Sequence, residues 1–89
     1  MANIKSQMKR NRQNEVLRVR NKSVRSELRT RAKQALTAAE TGDAEAAREA
    51  LRLAQSRIDS AASKGVLHQN TAARRKARLS RQVEQILAG

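Results

Sequence analysis

The chain has 89 residues, no Cys, Trp, Tyr or Phe, and a formal net charge of +12 from 20 Lys and Arg against 8 Asp and Glu. That length leaves room for one domain, residues 1–89, with a thin core. The missing aromatics exclude a ring platform for unpaired bases. The missing cysteines exclude disulfides and thiolate metal sites and fit a reducing cytoplasm, and no run of about 18 apolar residues suggests an export signal or a membrane span.

The charge is unevenly spread. Residues 1–33 carry 11 basic and 2 acidic groups, residues 34–62 carry 3 and 5, and residues 63–89 carry 6 and 1. Two basic segments therefore flank a mildly acidic middle, an arrangement that points to nucleic acid as partner. Binding without aromatic rings must use phosphate and sugar contacts, arginine planes, and the shape of a structured duplex or junction.

The first predicted helix covers about residues 5–40, with no Pro or Gly to interrupt it. At about 100° per residue its charges do not gather on one face. Lys9, Arg20 and Arg31 share one flank, Arg18, Arg25 and Arg29 another, and Lys5 and Arg12 the back. A helix charged nearly all round repels itself in water and gains most when a polyanion surrounds it. Met1 to Asn14 holds little apolar surface beyond Ile4 and Met8, so alone it is expected to fray or stay disordered. From Leu17 onward a stripe forms from Leu17, Val24, Leu28, Ala32, Ala35 and Ala39. Thr41-Gly42-Asp43 breaks the helix, with Gly42 suited to a left-handed position and Asp43 to capping the next helix.

A second helix is expected over about residues 44–62, with a stripe of Ala47, Leu51, Ala54, Ile58 and Ala61. Asp43, Glu45 and Glu49 complement its dipole, and Arg48 and Arg52 come at pairing distance along the same helix. Ser63-Lys64-Gly65 ends it, with Gly65 as the left-handed cap and Val66 apolar just beyond. Asn70 is the expected cap of a third helix over about residues 71–87, whose stripe is Ala72, Leu79, Val83, Ile86 and Leu87. Arg74, Arg78 and Arg81 lie opposite within a sector about 60° wide, with Arg75 and Lys76 on its shoulders. No acidic residue falls between Thr71 and Val83, which favours a row that faces phosphates. The expected fold is all-α, an antiparallel three-helix bundle with a long, protruding basic N-terminal helix.

Two stretches resemble a known family. Lys64-Gly65-Val66-Leu67-His68-Gln69-Asn70-Thr71-Ala72-Ala73-Arg74-Arg75-Lys76-Ala77-Arg78-Leu79 resembles the segment "KG-[apolar]2-HKN-x-AARxKARL" of the S-twenty family of bacterial small-subunit ribosomal proteins. The opening Met1-Ala2-Asn3-Ile4-Lys5-Ser6, the pair Lys9-Arg10, then Arg25-Ser26 and Arg29-Thr30 are similar to that family's N-terminal region. Thr41-Gly42-Asp43 sits where the family has its "GD" turn. Gln69 stands where Lys is usual, which removes one candidate phosphate contact, and Arg75 stands where His is frequent. The resemblance implies a three-helix protein bound directly to 16S ribosomal RNA, bridging segments distant in sequence, with other small-subunit proteins as neighbours.

On the family's pattern Lys5, Lys9, Arg10, Arg25, Arg29, Asn70, Arg74, Arg75, Lys76 and Arg78 are candidate RNA contacts. Position and charge add Arg12, Arg18, Lys33, Lys64, His68 and Arg81. No catalytic constellation is legible. His68 has no carboxylate near it in sequence, so neither metal binding nor base catalysis is expected of it, and a hydrogen bond to RNA or backbone suits it better. Neither cofactor nor enzymatic activity is expected. A DNA-compacting protein would call for a dimer stripe or apolar wedge, and a membrane-surface helix for a broad apolar face. Residues 1–16 offer no such face, and nothing marks a homo-oligomer.

Overall fold

The computed structural model describes the backbone of residues 2–89 and the side chains of residues 7–89. Three helices succeed one another: α1 Ala2–Glu40, α2 Ala44–Ser63 and α3 Gln69–Ala88. Tight links make neighbours in sequence antiparallel, so α1 and α3 run in the same direction, and each of the three helices packs against the other two.

Both predicted breaks work through glycine. Gly42 and Gly65 have φ of 82° and 80°, a region where a side chain's Cβ crowds the backbone. After α2 the amides of Gly65 and Val66 donate back to the carbonyls of Ala62 and Ala61, at 3.1 and 2.9 Å. This is the Schellman pattern, and Val66 then drops onto Ala61 in the core. Asp43 caps α2 as expected, its Oδ1 accepting from the Ala46 amide at 3.1 Å.

The third cap differs from expectation. His68, not Asn70, is the N-cap of α3: its Nδ1 accepts from the Asn70 amide at 3.1 Å, and Gln69 opens the helix. Imidazole lies outside the usual capping set, but an unprotonated ring nitrogen is an acceptor at the needed reach. His68→Ala is expected to cost about 0.5–2 kcal/mol of stability, with His68→Asn close to wild type, checked by urea denaturation.

Two clusters form the core. Ala35, Ala39, Ala47, Leu51, Ala54, Leu79 and Val83 fill the end nearer the α1–α2 turn. Leu28, Ile58, Ala61, Val66, Leu67 and Ala72 fill the other. Alanine at facing positions of α1 and α2 lets their backbones approach closely, and this pair packs most extensively. The α2 stripe is buried throughout, whereas Leu17 of the α1 stripe is 45% exposed because no other helix reaches it. Leu67, absent from the stripes, is buried beneath the second turn. Leu28→Ala should lower stability by about 2–5 kcal/mol, a large share of what so thin a core supplies, read as a shift of the thermal midpoint.

α1 is helical from Ala2 through Asn14, a segment expected on its own to fray or stay disordered. Lys, Arg, Gln and Met are good helix formers, and uninterrupted propagation from the anchored trailing half carries the helix outward. Every residue from Gln7 to Arg20 is exposed. The overhang from Ala2 to Arg20 extends about 28 Å at 1.5 Å per residue. Overall dimensions are 65 × 22 × 15 Å with a radius of gyration of 17.6 Å, against about 12 Å for a compact chain of this length. The leading half of α1 is a rod standing clear of its own bundle.

Candidate nucleic-acid interface

The trailing half of α1 needs its apolar stripe for the core, so its cations are pushed to the edges of that stripe. Arg25 and Arg29, one turn apart, border Leu28 and Ala32. On α3, Arg75 and Arg78 border Leu79 in the same way. Because α1 and α3 lie side by side, the two edges meet and form a solvent-open groove of ≈ 240 Å³ with an arginine pair on each wall.

The ion pairs leave this groove untouched. Arg18 pairs with Glu15 on the rod at 2.8 Å. Glu27 takes Arg57 of α2 at 3.3 Å and Arg31 at 3.8 Å. Arg48 reaches across to Glu84 of α3 at 4.0 Å, not to an acid of its own helix as the spacing along α2 suggested. Lys76 meets Asp59 of α2 at 2.7 Å. Among the described residues, no acid pairs with Arg25, Arg29, Arg75 or Arg78. These exposed pairs contribute little stability, roughly 0–1 kcal/mol each. Their placement matters more: they offset positive charge along α2 and leave the α1–α3 side uncompensated.

The predicted contact residues therefore fall into separate groups. Lys9, Arg10, Arg12 and Arg18 are exposed on the rod, while the side chain of Lys5 lies outside the described residues. Arg25, Arg29, Arg75 and Arg78 converge on the groove, and exposed Arg74 and Arg81 extend that side of α3. The Arg74 Nε donates to the Asn70 carbonyl at 3.5 Å, which steers that side chain back along the helix. Lys33 is exposed on α1. Lys64, His68 and Asn70 are exposed together around the α2–α3 turn. With His68 Nδ1 engaged as an acceptor, a neutral ring carries its proton on Nε2 and can donate outward. Lys76 stands apart from the arginine walls, on the α2 side, half-buried and held by Asp59.

Gln82 lines the groove beside Arg78 and was absent from the charge-based reading. An uncharged side chain leaves no mark on a charge pattern. Its position one turn beyond Arg78 on the same edge of α3 is the signal that could have found it. No helix is long and apolar enough to cross a membrane among the described residues.

A helical bundle with unpaired cations along a rod and around one inter-helix groove suits a polyanion. Comparison with known proteins is concordant. Residues 2–84 match the family model for Ribosomal protein S20. The chain belongs to the ribosomal protein S20 family. Members named small ribosomal subunit protein bS20 resemble it over nearly their whole length. That of Salinispora tropica is 57% identical over 83 residues, covering 93% of this chain and 94% of the relative. Those of Cutibacterium acnes and Mycobacterium marinum are 51% identical over 88 residues and 52% over 86, covering 99% and 97% of this chain and 100% and 99% of theirs. The S20 match thus takes in both the rod and the groove, since residues 2–84 include all but the last turn of α3.

Proposed function

We propose that this protein is a structural constituent of the small ribosomal subunit, acting in the cytoplasm as part of the ribosome. It binds 16S ribosomal RNA directly, as a single copy, and helps fold and bridge RNA segments. It acts through charge and shape and carries no catalytic role. The carrying observation is the asymmetry of charge: basic residues without acidic partners among the described residues on the rod and along the α1–α3 groove, with three of the five described ion pairs tying α2 to its neighbours. The names and extent of similarity of its S20 relatives support the same reading.

Mechanistically, the rod and the groove are two binding elements on one rigid helix. Phosphates close around the overhang from several directions, releasing counterions in proportion to the contacts made. The arginine walls, whose guanidinium groups present paired donors, engage a second backbone tract. Because α1 is continuous from Ala2 to Glu40, the spacing of the two tracts is set by helix length. Footprinting of purified protein on 16S ribosomal RNA tests the reading. Protection of two or more tracts distant in RNA sequence is expected, and affinity no greater than for random duplex DNA would overturn it.

A further inference from the structure

The groove between α1 and α3 holds more than charge. Its floor is hydrocarbon: Ala32 and Leu36 are half-buried there, above the buried Leu28, Ile58 and Leu79. Phosphate alone has no use for such a floor, and four guanidinium groups around it deter a purely apolar ligand. A nucleotide satisfies both parts, with its base against hydrocarbon and its phosphates at the rim. Arginine planes can stack on a base where aromatic rings are lacking, as they are in this chain. Gln82 is the one uncharged hydrogen-bonding side chain of the lining, and its amide offers both donor and acceptor to a base edge. At ≈ 240 Å³ the groove is smaller than the clefts of roughly 300–1,000 Å³ that hold larger ligands, so it has room for one base.

We propose that the α1–α3 groove seats a single unpaired nucleotide extruded from the bound RNA. Its base lies on Ala32 and Leu36, Gln82 bonds its edge, and Arg25, Arg29, Arg75 and Arg78 hold the flanking phosphates. This rests on the RNA-binding reading above and adds a local, base-level contact to it. A base still paired in a duplex cannot enter, so the groove selects RNA with a bulge or junction nucleotide at the correct distance from the tract held by the rod.

The test is 2′-hydroxyl acylation of 16S ribosomal RNA bound to full-length wild-type protein, Gln82→Ala and Ala32→Met. In the wild-type complex one unpaired nucleotide should be immobilised and unreactive. Gln82→Ala should restore reactivity at that nucleotide, with about a tenfold loss of affinity. Ala32→Met, which fills the floor, should free the same nucleotide, and circular dichroism checks that its helix content is kept. Should Ala32→Met misfold, the exposed Gln82 substitution still decides. If the wild-type protein fails to bind the RNA, the functional reading itself falls. If all three proteins bind and no nucleotide distinguishes them, only the groove inference falls. A second arm titrates adenosine, guanosine, cytidine and uridine monophosphates into free protein. Weak binding, displaced by the RNA, is expected, and tight binding that the RNA leaves undisturbed would reassign the groove to a soluble nucleotide.

Discussion

Replacing Arg25, Arg29, Arg75 and Arg78 together by Ala should flatten the salt dependence of RNA binding while leaving the helices intact. Each phosphate neutralised adds about 0.7–0.9 to the magnitude of the slope of log affinity against log salt, so loss of four contacts lowers it by about 3. The four side chains are exposed and take no part in the described ion pairs, so thermal unfolding of the free protein should move little. Relief of their mutual repulsion even favours a small gain. The control is Arg48→Ala with Arg52→Ala, which removes two charges from α2 and should barely alter the slope. Equal flattening per charge removed in the two variants would mean that net charge, and not the α1–α3 face, governs binding. The smaller pair Arg74→Ala with Arg78→Ala should act in the same direction, lowering affinity and slope with helix content retained.

Removal of Met1–Asn14 should separate binding from folding. This segment carries Lys5, Lys9, Arg10 and Arg12, so RNA affinity should fall steeply and the salt slope should drop by about 3. The described part of the segment, Gln7 to Asn14, is exposed along its whole length and touches neither core cluster. The melting temperature of the free protein should therefore stay within a few degrees of the full chain. In complex with RNA the order reverses. Full-length protein should gain far more thermal stability than the truncated form, because a ligand that binds only the folded state stabilises it by mass action. A large drop in the free protein's melting temperature would instead assign the rod a structural role within the bundle.

Much of this architecture is legible in the residue order. Gly42 and Gly65 punctuate the chain where left-handed φ is needed, and Asp43 caps α2 as its short oxygen-bearing side chain suggests. The spacing of Ala47, Leu51, Ala54, Ile58 and Ala61 marks the buried face of α2 without error. The charge imbalance identifies a polyanion partner, and the Lys64–Leu79 segment resembles the family to which the chain belongs. Two local readings differ for local reasons. Expected disorder in the leading segment overlooked how far a helix anchored at its other end can propagate. Capping by Asn70 overlooked that His68, two residues earlier, offers an acceptor at the right height.

What the sequence settles by itself is the angle of each side chain about its own helix axis, because that depends only on a repeat of 3.6 residues. It thereby determines three helices, their apolar stripes and an encircling charge on the first. Which edges of different helices meet is decided by packing. Leu17 shares the stripe of Leu28 and Ala35 yet stays exposed, since α2 ends and α3 begins short of it. Lys76 and Arg75 are adjacent in sequence and both basic, but one faces Asp59 of α2 and the other opens onto α1. Arg25 and Arg78 become neighbours across a groove, with Gln82 beside them, only because the bundle lays α3 along α1. Periodicity carries no term for the distance between helices, and the groove exists nowhere except in that distance.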